Sequence, residues 1–199
     1  MRKKLSSLIV LLCMAYIVPC AAHARKSHKA HKITHHKFSY KTTYREHVTP
    51  VYRESMDTDS VSADSLMQFA QSLLGTRYRP ATSDPNRGFD CSGFVSYVFK
   101  NFNFNVPRSS CEFINVGQKV RYEDARPGDI ILFTSPTNRH RIGHVGIVYS
   151  NNGDEFKFIH STSGKEYGVT ISSMDDTYKR RFVQVVRLLK QNDVFLASR

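Results

Sequence analysis

Apolar positions recur with a helical period in two places along the chain. Between Ala63 and Leu74, the residues Leu66, Phe69, Ala70, Leu73 and Leu74 fall on one helical face, and Gly75 follows as a stop. After a polar loop from Thr76 to Gly88, Phe94, Val95, Val98, Phe99 and Phe102 form a second stripe. Asp90 is a good N-cap for that stripe, which sets Cys91 in the first turn of the second helix. The run Asn-Val-Pro-Arg-Ser-Ser (105–110) breaks the pattern, and Ser110 to Val116 predicts a short third helix. From there the period changes to that of strands. Arg-Pro-Gly-Asp-Ile-Ile-Leu-Phe (126–133) is a turn entering a buried strand, and further strands follow at 144–150, 155–161, 168–173 and 182–189. Helices first and strands afterwards predict an α+β domain over 63–190, with its helices on one side of a five-stranded, mainly antiparallel sheet. Residues 191–199 are a C-terminal tail, and no internal repeat is visible.

The N-terminal end has a different texture. Met1-Arg2-Lys3-Lys4 precedes an apolar run from Leu5 to Pro19, and Ala22-His23-Ala24 follows it. This order of charge, apolar core and small residues is that of a secretory signal with cleavage after Ala24. The run is shorter than the roughly 20 residues that cross a bilayer. A periplasmic or extracellular location is therefore expected. Cys20 offers a lipoprotein alternative, which Pro19 just before it fits poorly. Cleavage at Ala24 removes Cys13 and Cys20 and leaves Cys91 and Cys111, too few for a disulfide framework. One bridge between them stays open in an oxidising compartment, and otherwise Cys111 reads as a buried, inert thiol.

Charge adds a second feature. The formal net charge is +12 over 199 residues. From Arg25 to Arg53 there are eight Lys or Arg against one acid, Glu46, together with His28, His31, His35, His36 and His47. So few aliphatic residues cannot offset the entropy of ordering, so 25–62 is expected to be a basic, disordered linker. Such a segment suits electrostatic contact with an anionic wall polymer or membrane, and its ordinary alternative is a solvated spacer. Its histidine spacings match no metal-ligand set. An exported chain without a recognition motif is a poor nucleic-acid binder.

The chemistry centres on Cys91. A helix N-terminus favours the thiolate over the thiol, and its free amides can hold the oxyanion of a tetrahedral intermediate. Gly88 and Gly93 let backbone approach a substrate closely. Core filler and disulfide partner are the plainer uses of Cys91. A nucleophile needs a base and an orienter, and the histidines of the domain are His140, His144 and His160. His144 opens one strand and His160 lies near the end of the next, with the turn Asn151-Asn152-Gly153-Asp154 between them. An odd loop puts the two histidines directly opposite on one face. A two-residue loop pairs His144 with Ser161 and turns His160 to the other face, and the sequence leaves both registers open. His140 and His144 have a ligand-like spacing, but Gly143 and the β-branched run after it argue for loop and strand, so no metal is expected.

Phe-Asp-Cys-Ser-Gly-Phe-Val (89–95), Val-Pro-Arg-Ser-Ser (106–110), the 126–133 block, His-Val-Gly-Ile-Val-Tyr-Ser (144–150) and Phe-Ile-His-Ser-Thr-Ser (158–163), in this order, resemble the NlpC-like cell-wall cysteine peptidases, a papain-like group. The resemblance runs from about Ala63 to Leu189. It implies hydrolysis of bacterial peptidoglycan stem peptides between D-glutamate and the diamino acid. It also implies Cys91 as nucleophile, His144 as general base and acid, and His160 as orienter. Asp90 and Ser92 match positions that bind the free amino end of the peptide, Tyr78 a tyrosine lining the site, and Ser110 a pocket serine. No cofactor is implied, and a monomer is expected. Where the family usually has Trp-Gly-Gly after the tyrosine, this chain has Arg79-Pro80-Ala81. A thiol amidase or acyltransferase, and a non-catalytic wall-binding module, are the competing functions.

Overall fold

A computed structural model describes residues 61–190; the expected signal, linker and C-terminal tail fall outside these, apart from Val61 and Ser62. Helix α1 (Ala63–Ser72) starts at Ser62, whose side chain accepts the Ser65 N–H at 3.2 Å. Leu66, Met67 and Ala70 are its buried residues. Leu74 departs from expectation, at 44% exposed. The helix closes at Leu73, so the next residue leaves the apolar face. Helix α2 (Cys91–Asn101) buries Phe94, Val95, Val98 and Phe99 on the expected stripe. The short third helix is a 3-10 turn, Ser110–Asn115, with Phe113 buried.

Strands β1 (Ser83–Asp84) and β2 (Gly88–Phe89) pair as a small antiparallel ribbon just before α2. The main sheet consists of β3 (Gln118–Val120), β4 (Ile130–Thr134), β5 (Ile142–Asn151), β6 (Phe156–Thr162), β7 (Gly168–Ser173) and β8 (Phe182–Arg187). It has six strands rather than five, in the order β3-β8-β4-β5-β6-β7, and every neighbouring pair is antiparallel. The unforeseen strand is β3, three residues long with only Val120 buried, so it carries no alternating pattern to read.

The sheet is apolar on both faces. Leu132, Val145, Ile147 and Ile159 pack with α1 and α2 in one core. Ile131, Phe133, Val148, Phe158 and Val185 form a second core, against which Tyr122 and Tyr178 pack. Tyr178 belongs to the short helix α3 (Asp176–Lys179). The long helices thus take one side as expected, and short elements cover the other. At the margin, the buried Arg187 guanidinium donates to both carboxylate oxygens of Asp129, at 2.9 and 2.8 Å.

Candidate active site

Asp90 builds the local frame. Its Oδ1 accepts the Gly93 N–H at 2.6 Å and caps α2, which fixes Cys91 in the first turn. Asp90 N–H in turn donates to the Thr82 carbonyl at 3.0 Å, so the loop before the ribbon lies across the helix end. Gly93 is required there, because a Cβ would run into the Thr82 oxygen. Arg108, from the segment after α2, grips the same carboxylate with both terminal nitrogens at 2.9 and 2.7 Å and reaches Ser92 Oγ at 2.9 Å. Tyr78, Ala81, Asp90, Cys91, Ser92, Arg108, Ser109, Ser110 and Glu112 line a cleft of about 560 Å³. The structure thus gathers Tyr78, Asp90, Cys91, Ser92 and Ser110 at one place. Arg108 was legible only as part of a chain break, since a lone cation after proline carries no signal.

Cys91 is half-buried, and its sulfur faces the backbone N–H of Val145 on β5. Burial first, then the Asp90 charge, push its thiol up, while the N–H groups of Ser92, Val145 and Cys91 itself pull it down; the net direction is upward. This direction runs against the expectation drawn from the helix N-terminus. Cys111 is exposed rather than buried, with Sγ 3.1 Å from Ser109 Oγ, and both cysteines are free thiols.

His144 precedes Val145, and its Nε2 lies 2.8 Å from His160 Nδ1. Neither anticipated register is the observed one. A bulge between Val148 and Ser150 sets Ile147 opposite Ile159, so His144 and His160 are diagonal neighbours on one face. His160 Nε2 lies 2.9 Å from Ser172 Oγ on β7, and the Ser172 and Thr162 hydroxyls both reach the Tyr178 oxygen. Both imidazoles are buried beside Phe158, Tyr178 and Phe133. Burial, then His160 and Arg181, hold the His144 pKa well below 6.5. Burial and Arg181 bring that of His160 down to about 3. Arg181 stays close because its Nε and Nη2 donate to the Thr134 carbonyl at 2.9 and 2.8 Å. Ser172, Tyr178 and Arg181 gave no sequence signal beyond strand alternation and surface polarity. His140 stands apart on the exposed β4–β5 loop, where its backbone N–H donates to Asn138 Oδ1 at 2.9 Å.

A cysteine at a helix N-terminus, set against an antiparallel sheet that carries paired histidines, is papain-like architecture. The chain belongs to the NlpC/P60 family, whose model matches residues 75–187. It is 37% identical over 120 residues to the murein DD-endopeptidase MepS/murein LD-carboxypeptidase of Escherichia coli K12, covering 59% of this chain and 58% of that protein. It is 36% identical over 122 residues to the gamma-DL-glutamyl hydrolase of Bacillus subtilis 168, covering 60% of this chain and 28% of that one. The chain thus spans less than two thirds of the length of these relatives. A solved NlpC/P60 family protein from Bacillus cereus matches with a TM-score of 0.58 at 29% identity, covering 65% of this chain and 41% of that one.

Proposed function

We propose that this chain is an exported cysteine peptidase that hydrolyses peptidoglycan stem peptides at the D-glutamyl–diamino acid bond. The observation that carries the proposal is the His144–His160 contact of 2.8 Å, placed one residue before the Val145 N–H that faces the Cys91 sulfur. With Nε2 engaged by His160, Nδ1 is the His144 nitrogen left for the thiol. One tautomer then satisfies the row: His144 Nε2–H donates to His160 Nδ1, and His160 Nε2–H donates to Ser172 Oγ.

In the forward step Cys91 Sγ attacks the peptide carbonyl as its proton passes to His144 Nδ1. The oxyanion forms beside the free amides at the start of α2. Collapse breaks the C–N bond, and the leaving amine takes the proton from His144. A water, deprotonated by the same nitrogen, then hydrolyses the thioester and frees Sγ. His160 holds the ring orientation and stabilises the imidazolium while it exists. We assign Tyr78, Asp90, Ser92 and Ser110 to the cleft wall that positions the stem peptide. The Asp90 charge is already offset by Arg108, so an incoming ammonium meets a paired carboxylate.

The murein and glutamyl hydrolases among the relatives support this choice of substrate. Mass spectrometry of muropeptides after incubation with the protein identifies the bond cut. Scission between D-glutamate and the diamino acid, abolished by Cys91→Ala, is the expected result. Scission elsewhere overturns the bond assignment, and binding without scission overturns the peptidase. For location, we propose that residues 1–24 direct export and that 25–62 hold the enzyme electrostatically at an anionic wall or membrane. Deleting 25–62 should weaken binding to intact wall at low salt, and the difference should fade above roughly 0.15 M ionic strength, where screening shortens to about 8 Å.

A further inference from the structure

Tyr167 is 56% exposed and holds φ at +44°, a left-handed conformation that a bulky side chain rarely adopts. Its backbone is pinned on both sides. Its N–H donates to the Gly164 carbonyl at 3.0 Å, and its own carbonyl accepts the Tyr78 N–H at 2.9 Å. The next residue pair extends this attachment, with Val169 N–H donating to the Thr76 carbonyl at 2.8 Å. A Cβ at Gly168 would meet that Thr76 oxygen at 2.7 Å, so β7 begins in close contact with the chain before the cleft. The result is that the Tyr167 ring lies 5.7 Å from the ring of Tyr78, tilted by 59°, and Tyr78 lines the cleft.

Folding does not account for the side chain. Glycine or asparagine would keep both backbone hydrogen bonds without strain, and more than half of the side chain stays open to solvent. Strain of this kind persists where the surroundings impose it, and it concentrates at ligand-contacting positions. The neighbouring charges narrow the ligand. Lys165 and Glu166, which precede Tyr167 with opposite charges, make no ion pair among the described residues. Opposite charges side by side favour neither an anion nor an ammonium over the ring face, and a neutral ring with an apolar face fits it better.

We propose that Tyr167, backed by Tyr78, is a stacking platform for a pyranose ring of the glycan strand, so that the cleft takes stem peptides still joined to their sugar. This rests on the peptidoglycan substrate proposed above and adds the glycan side of the site.

Affinity is measured by calorimetry on the full chain carrying Cys91→Ala, with a disaccharide-linked stem peptide and with the same peptide free of sugar. The sugar-linked form should bind roughly five- to tenfold more tightly. Adding Tyr167→Gly should erase that ratio, while Tyr167→Phe keeps it. Tyr167→Gly should also melt at an equal or higher temperature, because glycine accepts the positive φ. Equal affinity for the two ligands in the parent overturns the platform. So does a Tyr167→Gly variant that weakens both ligands by the same factor, or one that keeps the ratio intact. Turnover plays no part in this binding measurement. A protein that cuts no muropeptide therefore defeats the peptidase proposal separately.

Discussion

His144 Nε2 and His160 Nδ1 stand 2.8 Å apart because a single bulge in β5 slides that strand past β6. The pair and Ser172 form one row that ends at the Tyr178 hydroxyl. In the proposed mechanism each member acts on the ring before it, so effects on rate should shrink along the row. His144→Ala should lower kcat/KM by roughly 10³-fold or more, and His160→Ala by about 10²-fold. Ser172→Ala should cost about tenfold, in kcat rather than KM, and Ser172→Thr should restore most of it. Steady-state kinetics on a soluble muropeptide checks the order. A Ser172→Ala enzyme slower than His160→Ala contradicts it.

Acid should weaken both the fold and the enzyme through these rings. The folded pKa values of His144 and His160 lie below 6.5, so the unfolded chain binds more protons as pH falls. The stability they contribute is complete above pH 6.5 and is lost on acidification, for His160 down to about 3. The slope is about 1.4 kcal/mol per pH unit for each buried histidine. Urea melts between pH 4 and 7 should therefore be steeper in pH for the parent than for His160→Gln. The same neutrality keeps His144 available as a base, so the acid limb of kcat/KM should fall below the ordinary imidazole pKa of 6.5.

The two long helices and five strands were legible because each carries enough apolar residues to show a period. Cys91 and its cap were legible because capping is local: Asp90 and Gly93 are three residues apart. What depended on contacts between distant segments was not. Arg108 reaches Asp90 from 18 residues away, and Ser172 meets His160 across two strands. The histidine register turned on a one-residue bulge at Tyr149, which no turn signal announces. The thiol of Cys91 went in the direction opposite to expectation because burial against β5, set by tertiary packing, outweighs the local amides.

Asp129 and Arg187 should dominate stability without touching the chemistry. The pair is almost wholly buried and bidentate, and Asp129 Oδ2 also accepts the Arg126 N–H at 2.8 Å. Asp129→Ala leaves a guanidinium in a dry site and should destabilise by about 3–5 kcal/mol in denaturant melts. A loss under roughly 1 kcal/mol would mean that water reaches the pair.

Ala81 carries φ +54° in the loop over the cleft, at the place where the family usually has a run of small residues. Ala81→Gly relieves a left-handed alanine, which costs about 1 kcal/mol, against the larger unfolded-state entropy of glycine. The variant should match the parent in stability or exceed it by up to about 1 kcal/mol. Guanidinium melts give the sign, and a clear destabilisation contradicts the left-handed loop.

Cys91 should rest as a thiol and lose its proton only to His144 during attack. Burial and the neighbouring Asp90 oppose a sulfur anion, and two imidazoles held neutral supply no standing positive charge to pair with it. The upward direction from 9.0 puts its thiolate above that pH. Thiolate absorbs near 240 nm, so the difference between the parent and Cys91→Ser, followed from pH 6 to 10, isolates this one group. The difference should stay near zero at neutral pH and rise only toward the alkaline end. Asp90→Asn should move that rise to lower pH by removing the repelling charge. Asparagine caps a helix about as well as aspartate, but the change leaves Arg108 without its ion pair, so melts at each pH must accompany the titration. A thiolate signal already present at pH 7 in the parent contradicts the neutral pair, and would mean that the helix amides prevail over burial after all.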